Sequence, residues 1–215
     1  MIGVPRPAED TETERRLLWS VYIVDKTLCL LLGRASYLQD SELVAPFSVK
    51  SGDPARRLWD ENYELAIQMA RLQGRIYDEL YSATALVAEA EQRARIIGEI
   101  EGEMLKWRDE QYQVGFSWIS SSEHAYKSAQ IDASYVAYPD IWALSRHHWD
   151  VVYHSTLTML LRASADARDG AKITAKCFDA AELSLKSHMA CFNAWEGSGI
   201  TSGGKNYANW YVRNV

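Results

Sequence analysis

The chain is poor in the residues and patterns that several protein classes require. Its 215 residues include three cysteines, Cys29, Cys177 and Cys191, and no Cys-x-x-Cys pair. Cys177 and Cys191 fall in one predicted helix, where their separation of about 21 Å is far beyond disulfide reach. An odd cysteine count without a pairing framework fits a reducing compartment. It also excludes, within this chain, a zinc cluster built from closely spaced cysteines.

Basic stretches and long apolar runs are missing as well. The formal net charge is -6, and no run of lysine or arginine occurs, so we expect no direct binding of nucleic acid by this chain. No apolar run approaches the ~20 residues of a membrane span, and the first residues lack a signal-peptide pattern. We therefore expect no membrane partner.

The sequence is rich in the apolar and aromatic residues from which a helical core is built. Hydrophobic residues make up 47% of the chain, with eight tryptophans and twelve tyrosines, which is typical of a folded domain. No alternating strand pattern and no fixed-period repeat appears. The sequence therefore predicts one all-α domain over residues 1–215, an irregular bundle of about six or seven helices around a buried apolar helix.

The first predicted helix spans residues 12–32, which contain neither proline nor glycine. Thr11 or Thr13 can cap its start, and Gly33 is typical of a helix end. Apolar residues cover most of its circumference, so we expect it to be buried on most sides at the centre of the bundle. Its interior acid, Asp25, is expected to pair with a nearby arginine, and the candidates are Arg15, Arg16 and Arg34.

The second predicted helix begins at Asp53-Pro54, a favourable N-cap and first helical residue. Its apolar positions repeat at helical spacing and predict one buried face, formed by Leu58, Leu65, Met69, Leu72, Ile76 and Leu80. Gly74 lies in mid-helix, at a cost of about 1 kcal/mol relative to alanine. We interpret it as a site of close helix packing.

Three further helices are predicted over residues 85–113, 139–168 and 174–195. Short additional helices are predicted near Ser120 and over residues 206–215. Trp107, near the end of the third helix, is interpreted as a packing residue.

An ordered motif lies in and after the first helix. It consists of an arginine pair, a tryptophan, a Tyr-x-x-Asp unit and a Gly-Arg pair, followed later by a proline, here Arg15, Arg16, Trp19, Tyr22, Asp25, Gly33, Arg34 and Pro46. The motif resembles the signature of the fungal-specific transcription factor domain, the regulatory region that follows the binuclear zinc cluster in many fungal activators. Ala35-Ser36 stand where members usually have a proline. Three later segments, residues 65–81, 104–112 and 147–185, resemble the same family.

The resemblance implies a non-catalytic regulatory domain in the nucleus, corresponding to the later part of the family domain without its N-terminal helices. It implies no cofactor in this chain, since zinc belongs to the absent DNA-binding cluster. Regulation would act through a small apolar effector, a protein partner or a homodimer. An alternative is a stand-alone helical enzyme or binding protein for an apolar metabolite, with His148 or His154 as acid-base group.

One group of side chains is a candidate ligand pocket between helices. It consists of Trp142, Trp149, Tyr153, His154, Phe192 and Trp195. Bundles commonly place ligands among such residues, but the same residues also suit an ordinary aromatic core. Both interpretations stay open from the sequence.

Residues with metal-binding or nucleophilic chemistry do not form a convincing centre. His147, Asp150 and His154 share one helical face, but the histidines are two turns apart, too far to reach one ion comfortably. Ser145 and Ser155 lie near these histidines without a Gly-x-Ser-x-Gly elbow. We therefore expect no metal site and no catalytic residue.

Overall fold

The computed structural model describes residues 12–43, 52–119, 139–164 and 173–197. Five α-helices lie in these ranges: α1 Glu12–Leu32, α2 Arg57–Ile76, α3 Ala90–Ile119, α4 Pro139–Arg162 and α5 Ala175–Gly197. The described ranges contain no strand, which confirms the all-α prediction. The count is below the predicted six or seven, and the two short helices expected near Ser120 and over residues 206–215 lie outside the described residues. None of the described helices is long and apolar enough to cross a membrane.

The centre of the bundle is α2, which packs against α1, α3 and α4, while α5 pairs along α4. All six residues of its predicted apolar face are buried, so that prediction is confirmed. Asp53 accepts a hydrogen bond from the Ala55 N–H at 2.9 Å and caps a 3₁₀ turn, Pro54–Arg56, that leads into α2. The helix ends in a π turn, Tyr77–Tyr81.

The prediction that α1 is the buried centre is wrong. One side of α1 packs on α2 and buries Trp19, Tyr22 and Cys29. The opposite side is exposed, with six large apolar side chains: Leu17, Val21, Val24, Leu28, Leu31 and Leu32. An apolar pattern around a whole helix does not show which neighbours are present. The amphipathic α2, with neighbours on three sides, takes the central place instead.

The remaining helix ends differ from prediction by a few residues. A 3₁₀ turn, Ala85–Val87, precedes α3, which therefore starts at Ala90 rather than near residue 85. α4 ends at Arg162, short of the predicted residue 168. Thr174 caps α5, because its Oγ1 accepts from the Cys177 N–H at 3.2 Å. All three cysteines are free and buried, which agrees with the prediction that Cys177 and Cys191 are too far apart to form a disulfide.

Gly33 ends α1 as predicted, through a specific backbone arrangement. Its φ is 64°, in the left-handed region. Its N–H donates to the Leu30 carbonyl at 3.3 Å, and the Arg34 N–H donates to the Cys29 carbonyl at 3.0 Å. These two bonds form a Schellman motif, which satisfies carbonyls that the helix end leaves without partners.

Gly74 allows the close contact between α1 and α2 that the sequence predicted. The Lys26 side chain crosses directly over it, almost completely buried, and its Nζ lies 3.0 Å from Oδ1 of Asp40. The same ammonium is 5.2 Å from the centre of the Tyr22 ring. A Cβ atom at position 74 would lie 2.9 Å from Cδ of Lys26 and 3.2 Å from its Nζ. Any larger residue there must therefore displace the buried lysine.

We expect Gly74→Ala to lower the free energy of unfolding by about 1 kcal/mol, although alanine is the better helix former. The displaced Lys26 would lose its contacts with Asp40 and Tyr22, and this loss outweighs the gain in helix propensity. Thermal or urea unfolding measures the change.

Gly98→Ala is the matched control. Gly98 is also in mid-helix, but a Cβ there meets nothing within 4 Å, so this variant should be more stable than the wild type by up to ~1 kcal/mol. Equal effects of the two substitutions would contradict the proposed role of Lys26.

Candidate functional site

A cavity of about 840 Å³ opens between α1 on one side and α4 and α5 on the other, with α2 beneath it. α1 contributes Ser20, Ile23, Val24, Thr27, Leu30 and Leu31, and α2 contributes Trp59, Asn62, Tyr63, Ala66, Met69 and Gln73. The opposite wall carries, among others, Ile141, His148, Trp149, Val152 and Met159 of α4 and Ala181 and Leu185 of α5. The cavity exists because α1 and α4 both pack on α2 without closing on each other.

The chemistry of this lining is uniform. Apolar side chains dominate, and the polar ones are serine, threonine, asparagine, glutamine, tyrosine and tryptophan, with one histidine. Among the residues that the structure describes, no aspartate, glutamate, lysine or arginine lines the cavity. A charged ligand would therefore lose its hydration without gaining an ion pair, and this loss costs free energy. An uncharged apolar ligand has no such cost.

A chain of hydrogen bonds crosses the cavity floor and joins three helices. The Thr27 hydroxyl of α1 donates to Oε1 of Gln73 in α2 at 2.7 Å. Nε2 of Gln73 then donates to Oγ1 of Thr156 in α4 at 3.1 Å. Gln73 and Thr156 are both buried, so these bonds compensate the cost of burying their polar atoms. The Gln73 amide has two N–H groups and its oxygen two lone pairs, so the chain can also bond to a ligand.

His148 and Trp149 form the polar part of the α4 wall. Nε1 of Trp149 donates to Oδ1 of Asn62 at 2.6 Å, and the two aromatic rings of residues 148 and 149 are 5.3 Å apart. Burial among protein atoms lowers the pKa of His148 to about 4, although part of its surface still faces the cavity. The imidazole is therefore neutral at pH 7, with one nitrogen a donor and the other an acceptor.

Of the six residues predicted as a ligand pocket, the structure brings only Trp149 to this cavity. Trp142 packs edge-on against Trp59, with ring centres 5.1 Å apart, beside Leu58. Phe192 and Trp195 pack in a separate cluster between α4 and α5.

Tyr153 and His154 lie on the α3 side of α4. Tyr153 stacks on Trp107 at 6.3 Å, and Trp107 donates from Nε1 to the Leu65 carbonyl at 2.7 Å, which confirms its predicted packing role. His154 is buried edge-on to Tyr153. Desolvation, and then the nearby charge of Arg108, lower the pKa of His154.

The other candidate metal-binding and nucleophilic groups make ordinary hydrogen bonds within the protein. Asp150 accepts from the Tyr112 hydroxyl at 3.0 Å, and within the described ranges no three histidine, cysteine or acidic side chains come close enough to hold a metal ion. The Ser145 hydroxyl donates to the Trp142 carbonyl at 2.7 Å, and that of Ser155 to the Val152 carbonyl at 3.0 Å.

Sequence reasoning missed the contribution of α1 and α2 to this cavity. Ser20 and Thr27 are seven residues apart on one side of α1, next to apolar neighbours, and Gln73 interrupts the apolar surface of α2. Buried amides and hydroxyls on facing helices are a usable signal for a cavity. The many aromatic residues of α4 and α5 instead predicted a pocket between those two helices.

The motif residues of α1 mainly attach this helix to α2. Arg16 lies 2.7 Å from Glu12 and 2.5 Å from the buried Asp60 of α2. Trp19 and Tyr22 are completely buried and pack edge-to-face, with ring centres 5.2 Å apart. The Tyr22 hydroxyl donates to Asp40 at 2.8 Å.

Asp25 has a different partner from the one predicted. Its carboxylate does not pair with an arginine. It accepts hydrogen bonds from the Ser36 hydroxyl at 2.6 Å, the Leu38 N–H at 2.9 Å and the Cys29 thiol at 3.4 Å. Burial alone would raise the pKa of Asp25, but these hydrogen bonds lower it below its usual value. The acid therefore fixes the loop that follows α1.

The arginines expected to pair with Asp25 lie elsewhere. Arg34 extends over the Tyr37 ring at 5.6 Å, Arg15 is half-buried, and Arg16 is bound to Glu12 and Asp60. The loop supplies backbone and hydroxyl donors closer to Asp25 than any arginine, which explains the difference.

The described helices form an all-α domain, in which α1 carries the sequence motif and an inter-helix cavity lies beside it. Comparison with known proteins identifies its family. The fungal specific transcription factor domain matches residues 4–126, more than half of the chain, and the chain belongs to this family.

Two curated relatives are each described as an ABC-transporter-regulating transcription factor. The one from Aspergillus oryzae is 24% identical over 110 residues, and the one from Aspergillus fumigatus is 26% identical over 110 residues. In both cases the match covers 46% of this chain and 12% of the relative. No solved structure matches the chain.

We expect Asp25→Asn to destabilise the domain by about 1–3 kcal/mol at pH 7, because the amide replaces an ionised acceptor of three donors. The pKa of Asp25 is lower in the folded chain than in the unfolded chain, where it is near 4. The ionised carboxylate therefore stabilises the fold fully above about pH 4, and this stabilisation is lost as the pH falls through the folded-state pKa. The stability difference between variant and wild type should therefore shrink only below about pH 4. Urea unfolding across pH measures it, with the exposed Asp109→Asn as control.

A second pH effect should come from His148. Its folded pKa of about 4 lies below the ordinary 6.5, so the unfolded chain binds a proton first as the pH falls from 6.5 to 4, and folding stability drops. We expect the free energy of unfolding of His148→Gln to fall by at least about 1 kcal/mol less than that of the wild type over the same pH range. An identical pH profile in His148→Gln and His147→Gln, a neighbouring histidine outside the cavity, would contradict the burial of His148.

Proposed function

We propose that this domain regulates a transcription factor by binding an uncharged, largely apolar small molecule in the cavity between α1, α2, α4 and α5. The observation that carries the proposal is the described lining, which is mostly apolar, contains isolated hydrogen-bonding groups and includes no charged side chain. Family membership supports a regulatory role in transcription, and the nucleus is the corresponding compartment.

The size of the cavity suits this class of ligand. Small-molecule sites usually measure about 300–1,000 Å³ and combine apolar walls with a few polar groups that fix orientation. A ligand with a hydrocarbon body would contact Ile23, Met69 and Val152, and one hydroxyl, carbonyl or amide group would reach the Gln73 chain. The neutral His148 keeps this part of the wall polar but uncharged, which again suits an uncharged ligand.

Ligand binding would act through the spacing of the helices. The cavity walls belong to four helices, and the Thr27–Gln73–Thr156 chain connects three of them. A ligand that fits only one spacing stabilises that packing by about 2.7 kcal/mol at a hundred times its dissociation constant. This is enough to shift the domain between two arrangements. The role is non-catalytic, since the ligand changes populations and not bonds.

The names of the two relatives suggest where to look for target genes. Both are described as regulating ABC transporters. Genes for such transporters are therefore the first class of targets to examine for this chain.

We expect the isolated chain to bind an uncharged lipophilic dye such as Nile red saturably. A fatty-acid dye with an ionised carboxylate should bind at least ~10-fold more weakly, because the described lining offers it no cationic partner. Ala181→Trp, which fills the cavity from α5, should weaken Nile red binding at least ~10-fold. Fluorescence titration measures both.

Ala190→Trp is the matched control, because it adds the same ring to an exposed position of the same helix. In cells, the chain fused to an unrelated DNA-binding domain should change reporter transcription with Ala181→Trp and not with Ala190→Trp. Equal dye affinity in the two variants would count against the cavity as the site, and equal reporter output would count against its regulatory role.

A further inference from the structure

The exposed side of α1 has a regular pattern that its packing on α2 does not explain. Its apolar side chains follow one another at intervals of four, three, four and three residues, at Leu17, Val21, Val24, Leu28 and Leu31, and each is 43–65% exposed. We call these five residues the α1 seam. A 4-3 spacing is the heptad pattern that lets one helix pack along another. It extends over about 21 Å, or four helical turns.

The side chains that flank the α1 seam are compatible with packing against an identical seam of another copy. The flanking positions are Leu18, Ser20, Asp25, Thr27 and Leu32. Asp25 is the one ionised group among them, and it is turned to the Ser36 and Leu38 donors of the following loop. In a dimer with a two-fold axis, the same surface of each copy faces its counterpart, so like charges on that surface would repel. Two α1 seams can meet without such repulsion.

We propose that the α1 seam pairs with the α1 seam of a second copy of this chain. Five partly exposed side chains per copy bury less than the ~800 Å² per partner of a standard specific interface, so the pairing should be weak. We therefore expect a dimer that dissociates in the micromolar range. The ligand cavity is not needed for this pairing, so the proposal goes beyond the function proposed above.

The position of the seam links pairing to the cavity. Val24 and Leu31 belong both to the seam and to the α1 edge of the cavity, while Leu17, Val21 and Leu28 lie only on the seam. A second α1 lying along the seam covers this edge of the opening. Pairing would thus narrow the route by which a ligand enters.

Sedimentation or light scattering of the full chain between about 1 and 100 µM tests the proposal. The expected result is an average mass that rises with concentration toward twice that of one chain. Val21→Glu and Leu28→Glu should each keep the mass at one chain throughout. Both positions are about half exposed, so circular dichroism should show an unchanged helix content.

Val87→Glu is the control, because Val87 is 75% exposed and lies outside the seam, and it should dimerise like the wild type. A single-chain mass at 100 µM overturns the proposal, whether or not the chain binds another protein. So does a dimer that persists in Leu28→Glu. Nile red binding by monomeric Leu28→Glu shows that the cavity functions independently, so failure of one proposal is distinguishable from failure of the other.

Discussion

The structure depends on how closely α1 can approach α2. Lys26 passes over Gly74 with no room for a methyl group, and its ammonium reaches Asp40 beyond. At the other end of the contact, Arg16 is bound to the buried Asp60. These two polar contacts lie on either side of the Trp19–Tyr22 cluster and hold α1 in register. The distance between α1 and α4, and with it the width of the cavity, follows from this register.

The motif that identifies the family has a structural explanation in this chain. Its aromatic residues fill the α1–α2 contact, Arg16 ties the two helices together, and Asp25 with Gly33 fixes the loop that positions Asp40. None of the seven motif residues that the structure describes, from Arg15 to Arg34, lines the cavity. In this chain the motif therefore builds the contact between α1 and α2, and residues outside the motif line the cavity.

The parts of the fold that depend on local sequence were predictable. The lack of proline and glycine in residues 12–32, followed by Gly33, predicted the extent and the C-terminal end of α1. The regular spacing from Leu58 to Leu80 predicted the buried face of α2. The place of α1 in the bundle was not predictable, because burial depends on which helices are neighbours. For the same reason the aromatic residues of α4 and α5 suggested a pocket, whereas most of them pack into separate clusters. Hydrogen-bond partners such as those of Asp25 depend on loop conformation, which spacing does not reveal.

The lack of charged side chains in the described cavity lining also determines how binding there would depend on ionic strength. Mobile ions weaken interactions between charges and leave contacts between neutral groups nearly unchanged. Binding in the cavity would therefore be almost indifferent to salt, whereas contacts with the phosphates of DNA weaken steeply as salt increases. In a protein that carries such a domain together with a DNA-binding module, the two interactions would respond separately to the ionic state of the cell.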